Sequence, residues 1–270
     1  MTIQERLLQQ AIAETLPQIS RGPGRRKPER SEMFDSKDSR TYIDGCDYPE
    51  SSDYAIVAAE IARAFGKGGR LSSRIVEVCP GPGNLLGELL KVGANKVIGI
   101  DGDPVMIKHA SNKFTEEITK GQMLFIQAMA QKLPLLDNSV DGIVNFNSFH
   151  QFSSEERILE ALREMARVLV PGGWGLVRDF KRGASQEAIN ERLKHTKPEI
   201  APLLLDSLQA SFTSTEFINL LRQIPDIEFS VTDAQNPWRL SEEVCGLIRN
   251  DPVEHWRDFG ISQDVKFIKL

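Results

Sequence analysis

The run Glu77-Val78-Cys79-Pro80-Gly81-Pro82-Gly83-Asn84 combines residue types that can hold a ligand. The apolar RIVEVC at 74–79 reads as a short buried strand, and a Gly-Pro-Gly turn carries it into a helical pattern. Glycine lets a backbone turn sharply and approach a ligand with no Cβ in the way. The helix beyond presents unbonded N–H groups in its first turn, so the segment is a candidate cradle. Twenty residues after Gly81 a second β-like run, KVIGI, ends in Asp101. A carboxylate there can accept hydrogen bonds from both hydroxyls of an adenosine ribose; the alternative is a plain turn residue at a helix entry. A dinucleotide fingerprint starting at Gly81 requires a small residue at Leu86, where helix and strand pack closely. Leucine at that position argues against NAD or FAD, and Glu77 has no part in such a fingerprint.

The elements that must position these residues alternate. Strands are expected at 75–79, 97–101, 123–127, 141–146 and 174–180, with helices near 84–92, 104–116 and 153–168 and one before them at 51–65. Alternation of this kind implies βαβ crossovers and a mainly parallel sheet with helices on both faces. Ligands then bind at the carboxyl ends of the strands. Asp103-Pro104 reads as an N-cap with proline at the first helical position, and Ser153-Ser154-Glu155-Glu156 as a capping box. Pro171-Gly172-Gly173 breaks the preceding helix and feeds a strand beginning at Trp174. Helices follow near 185–195, 201–210 and 214–223, then strand candidates at 227–232 and 264–269. At the other end, Ile3, Leu7, Leu8, Ile12 and Leu16 recur at helical spacing, which predicts a helix over 3–16 ended by Pro17. RGPGRRKPER at 21–30 reads as a linker, either a solvated loop or a surface for an anionic ligand.

Composition excludes several classes. The 270 residues carry 33 Lys+Arg against 38 Asp+Glu, a net charge of −5, which argues against a broad nucleic-acid-binding face. Cys46, Cys79 and Cys245 are odd in number and far apart, so they make neither a disulfide framework nor a C-x-x-C pair. A reducing, cytoplasmic setting is expected. No apolar run reaches the ~20 residues of a membrane span, and four scattered histidines without H-E-x-x-H spacing point away from a zinc enzyme. No metal is implied.

The ordered motifs resemble those of class I S-adenosylmethionine-dependent methyltransferases, nearest in flavour to the quinone-biosynthesis-like small-molecule enzymes. That family's first motif runs acid-x-G-x-G-x-G and is matched by Glu77, Cys79, Gly81 and Gly83, with cysteine replacing the first glycine. The likeness continues through Val97 to Asp101 and Gly102, then QAMAQKLPLLDNSVDGIV from Gln127 and EMARVLVPGGWG from Glu164, covering about 70–180. It implies a Rossmann-like α/β fold: a seven-stranded, mostly parallel sheet with an antiparallel last strand. Residues 1–50 would form an N-terminal helix and lid or linker, and 51–270 the cofactor-binding domain, with 181–223 a helical insertion roofing the acceptor pocket.

The resemblance also implies site residues. Where the family has an adenine-reading aspartate this chain has Met129, followed by Ala130, so ring packing and a backbone contact replace the carboxylate. In Asn145-Phe146-Asn147-Ser148-Phe149-His150, which lies between the cofactor's methionine half and the acceptor, Asn145 is the candidate methionine contact. His150 is a candidate general base or a structural histidine. Asp179 either faces the acceptor or caps a helix, and Tyr42 is a candidate lid residue over the cofactor. The implied activity is methyl transfer from S-adenosylmethionine to a small molecule. No Asn/Asp-Pro-Pro-Tyr motif of amino-group DNA methylation occurs. The alternatives are a non-catalytic cofactor-binding or scaffold protein and a Rossmann oxidoreductase; oligomeric state is left open.

Overall fold

The computed structural model describes residues 26–27, 39–40, 42–44, 52–68, 71, 73–194, 196, 201–234 and 261–270. The helix expected over 3–16 lies outside them, as does the 21–30 segment apart from Arg26 and Lys27.

Helix α1 (Ser52–Phe65) precedes β1 (Arg74–Val78), α2 (Asn84–Lys91), β2 (Lys96–Asp101) and α3 (Pro104–Lys113). Then come the short α4 (Thr115–Thr119), β3 (Met123–Gln127), β4 (Val140–Phe146), a 3-10 turn (Phe149–Gln151), α5 (Glu155–Val168) and β5 (Leu169–Phe180). The chain closes with α6 (Gln186–Lys194), α7 (Ala201–Ala210), α8 (Ser214–Leu221), β6 (Ile227–Asp233) and β7 (Ser262–Lys269). None of the described helices is long and apolar enough to cross a membrane.

The seven strands lie in the order β3-β2-β1-β4-β5-β7-β6. The pairings from β3 to β5 are parallel, and β7 runs antiparallel to both β5 and β6. The expected antiparallel last strand is therefore β7, inserted between β5 and β6. Each βαβ unit buries both sheet faces, so alternate residues of one strand enter different cores. Val76 and Val78 pack with Ile143, Val177 and the inner face of α5 on one side. Ile75 packs with Val97, Val144, Leu85 and Ile61 on the other, where Phe65 and Trp174 stack at 4.3 Å and 3°.

Four local expectations change. The helix drawn over 104–116 ends at Lys113, and a separate turn starts after Phe114, whose ring lies 6.2 Å from that of Phe125. β5 starts at Leu169, not Trp174: Val140 pairs with Leu169 and Gly142 with Trp174, so Pro171-Gly172-Gly173 forms a bulge inside the strand. Ser154 caps α5 by accepting from the Arg157 N–H, but an arginine, not a glutamate, stands three residues on, leaving a one-sided cap. Finally, α8 is no part of a roof. Its Phe217, Leu220 and Leu221 are buried in the main core, whereas α6 and α7 pack Ile189, Leu204, Leu205 and Leu208 into a separate small cluster with Ile261.

Candidate active site

The sheet order reverses direction between β1 and β4, and the crevice outside the strand ends at such a point is where open α/β sheets take ligands. A cleft lies there. It is lined by Glu77 and 79–82 after β1, 101–103 and Met106 after β2, 129–131 after β3, and 146–148, Gln151 and Phe152 after β4. Tyr42 and Tyr54 complete it.

After β1 the backbone alternates through the left-handed region, with φ of 58° at Cys79, 52° at Gly81 and 78° at Gly83. A Cβ added to Gly81 would meet nothing within 4 Å, so the space over that residue is open to a ligand. At Gly83 it would lie 2.9 Å from the Phe125 ring. Gly83 thus serves helix packing as the N-cap of α2 and does not line the cleft. Cys79 keeps the turn that its glycine counterpart would make, and its thiol is pushed up by burial and by the neighbouring Asp101.

Asp101 is held above this turn. One carboxylate oxygen accepts from the Gly81 N–H at 3.1 Å and the other from the Asp103 N–H at 2.9 Å. A carboxylate offers about four acceptor sites, so these bonds leave it capacity to accept from a ligand hydroxyl. Burial raises its pKa to about 6, against the opposing pull of these backbone N–H groups. Asp103 meanwhile caps α3 through the Val105 N–H at 2.7 Å, and Ser39 donates to its other oxygen at 2.5 Å.

Three side chains lining the cleft have buried polar atoms without a hydrogen-bond partner: Glu77 Oε2, both amide atoms of Gln131, and Asn147 Oδ1. Burial, then the nearby Asp101, drives the Glu77 carboxyl well above its ordinary range. Unmet polar atoms of this kind cost roughly 1–3 kcal/mol each, and they are gathered where a polar ligand would relieve them. Together with the open cradle at Gly81 and the ribose-competent Asp101, they fit a nucleoside cofactor.

Of the expected site residues, Tyr42, Glu77, Cys79, Gly81, Asp101, Gly102, Met129, Ala130 and Phe146 line the cleft. Asn145, His150 and Asp179 do not. The Asn145 side chain is fully buried between strand ends, donating to the Val78 carbonyl at 2.8 Å and the Ser148 hydroxyl at 2.5 Å. His150 and Asp179 are buried together: Nδ1 lies 2.6 Å from Oδ1, and the His150 N–H donates to Oδ2 at 2.8 Å. Asp179 thus braces the turn after β4. Nor does any described residue of 181–223 line the cleft.

Tyr54, Met106, Gln151 and Phe152 were not foreseen. Tyr54 sits edge-on to Phe146 at 5.7 Å, a contact its place in a helical repeat does not reveal. Arg26 is a larger surprise, because it is not a solvated loop residue. Its guanidinium donates to the carbonyls of His150 at 3.0 Å, Phe152, and Ala210 at 2.5 Å, and it lies 4.3 Å from the Phe212 ring centre. Burial lowers its pKa to about 10, so it stays charged at neutral pH.

Fold and cleft together define a Rossmann-like α/β protein whose switch-point cleft has residues that fit a nucleoside cofactor. Residues 75–173 match the methyltransferase-domain family. Curated relatives are the ubiquinone/menaquinone biosynthesis C-methyltransferases UbiE of Pseudomonas paraeruginosa, 32% identical over 120 residues, 44% of this chain and 46% of the relative, and of Ectopseudomonas mendocina, 30% identical over 117 residues, 43% and 44%. The match spans about half the length of these relatives. Among solved structures, the plantazolicin methyltransferase BpumL in complex with SAH has a TM-score of 0.64 at 17% identity, covering 97% of this chain and 99% of that one. A putative S-adenosylmethionine-dependent methyltransferase from Methanococcus maripaludis has a TM-score of 0.60 at 20% identity, covering 76% and 91%. Over the matched part, the chain is similar to class I S-adenosylmethionine-dependent methyltransferases.

Proposed function

We propose that this protein transfers a methyl group from S-adenosylmethionine to a small-molecule acceptor by in-line displacement. The observation that carries the reading is the line of unmet polar atoms on Glu77, Gln131 and Asn147, with the Asp101 carboxylate on the strand between the first two. The names of the curated relatives, C-methyltransferases of quinone biosynthesis, and the SAH held by the BpumL structure support it.

When bound, the cofactor supplies an electrophilic methyl group on a sulfonium. Asp101 would take the two ribose hydroxyls, and the backbone at Gly81 would let the ligand approach closely. Glu77 and Asn147 would hold the amino-acid portion, since they lie after β1 and β4, where the sheet order reverses. Met129 and Ala130 would pack against the base. The protein's remaining task is to hold acceptor and methyl carbon about 3–3.5 Å apart, aligned and shielded from water. Tyr42, Tyr54, Phe146 and Phe152 provide that apolar shielding. His150 is assigned to bracing rather than proton removal, because it is buried and does not line the cleft.

Incubation with methyl-tritiated S-adenosylmethionine and a cell extract split into small-molecule, protein and nucleic-acid fractions tests this. Label is expected in the small-molecule fraction. Label only in protein or nucleic acid contradicts the acceptor class; no label in any fraction favours a non-catalytic cofactor-binding protein.

A further inference from the structure

We propose that Gln131 reads the edge of the cofactor's adenine ring, a contribution that sets specificity and that Met129 does not make. This rests on the S-adenosylmethionine reading above. The strand ends along the cleft run from β1 through β2 to β3, the outermost strand on that side. A nucleoside whose ribose sits on Asp101, at the end of β2, with its amino-acid portion toward β1 and β4, therefore carries its base over the loop that follows β3. That loop is 129–131. Met129 is 39% exposed and offers only an apolar surface. Gln131 also lines the cleft, and the oxygen and nitrogen of its carboxamide are both buried without a partner.

A carboxamide presents one acceptor and two donors side by side. Adenine presents the complement, the 6-amino donor next to a ring-nitrogen acceptor, and paired Gln-to-adenine contacts use this match. The loop is also held in place just beyond Gln131. Glu164 on α5 accepts from the Leu133 N–H at 2.8 Å, and Arg167 donates to the carbonyls of Leu133 at 3.1 Å and Leu135 at 2.9 Å. The loop backbone beyond Gln131 is thus held before the ligand arrives, and a base within reach of the carboxamide would make hydrogen bonds that folding alone leaves unmade.

The test is calorimetric, on the full chain, with S-adenosylhomocysteine and its analogue carrying hydrogen in place of the 6-amino group. The wild type should prefer the adenine compound by at least tenfold. Gln131→Leu, which keeps the volume and removes the amide, should lose that preference and bind the adenine compound at least tenfold more weakly. Its ligand-free thermal midpoint should rise or hold, because two unmet polar atoms are gone. Asp101→Ala should weaken both compounds by one common factor. If Gln131→Leu binds the adenine compound within threefold of wild type, or if wild type does not distinguish the two compounds, Gln131 does not read the base. If folded wild type binds neither compound, the methyltransferase reading itself fails and this inference with it.

Discussion

Cys79 has φ 58°, a left-handed conformation that costs a side-chain-bearing residue on the order of 1–2 kcal/mol. Cysteine is compact and unbranched, so the turn survives. Cys79→Gly should change stability by less than about 1 kcal/mol, strain relief being set against added unfolded-state freedom; Cys79→Val, β-branched, should cost about 2 kcal/mol or more. Urea titration of both variants checks this. Glu77 makes a second prediction at the same scale. Its carboxyl is raised in the folded protein, so its contribution to stability is whole below its unfolded pKa, near 4.5, and is lost as pH rises toward the folded value. Glu77→Gln should therefore stabilise the ligand-free protein at pH 8, on the order of 1–3 kcal/mol, and the gain should fade as pH approaches 4.5. Asp101, at about 6, must be ionised to accept two hydroxyls with both oxygens. Affinity for S-adenosylhomocysteine should hold above pH 7 and fall on acidification through about pH 6, as read by calorimetry. Glu77, Gly81 and Asp101 were legible in sequence because turn chemistry and spacing are local. Asn145, His150 and Asp179 were misplaced because the facing of a side chain at a strand end depends on register, and three residues, Val78, Ser148 and Asp179 itself, decide it.

The elements show what periodicity reads and what it misses. The alternation of strands and helices over 74–180 and the helices after it were legible, because apolar runs and caps mark them. The bulge at Pro171-Gly172-Gly173 was not, since those residues also punctuate a helix end, and only pairing with Val140 and Gly142 shows that the strand starts earlier. α8 looked like its neighbours α6 and α7, yet it covers the sheet; an amphipathic face does not say what it meets. Arg26 was invisible for the same reason, its partners lying more than a hundred residues away. It ties the N-terminal segment to the turn after β4 and to the end of α7, so the segment that carries Tyr42 is fixed to the body at Arg26 and again at Ser39. Arg26→Ala should remove charged hydrogen bonds worth about 1.5–3 kcal/mol and quicken amide exchange in 149–152. Unchanged exchange there would show that the turn is held without the arginine.

For the molecule as a whole, a buried ion-pair cluster and the cleft lie side by side on one sheet, Arg178 on β5 pairing in register with the cleft-lining Phe146. Toward β7, Arg178 on β5 makes two bonds to Asp264, at 2.6 and 2.8 Å, and lies 2.7 Å from Glu60 on α1, all buried. This cluster fastens the antiparallel strand and a covering helix to the parallel core. Asp264→Ala leaves a buried guanidinium without its main partner and should cost about 3–5 kcal/mol in chemical denaturation, a loss large enough to matter against a typical total of about 5–15 kcal/mol. At the switch point the balance is reversed: carboxylates are crowded and polar atoms unmet, a local cost that a ligand removes. The ligand proposed for this crevice is S-adenosylmethionine. Calorimetric titration of the purified chain with S-adenosylmethionine and S-adenosylhomocysteine, with NADH as control and Asp101→Ala as variant, tests it most directly. Both adenosyl compounds should bind, NADH should not, and Asp101→Ala should weaken them at least tenfold, about 1.4 kcal/mol. Folded protein that binds neither, or that binds NADH instead, would contradict it.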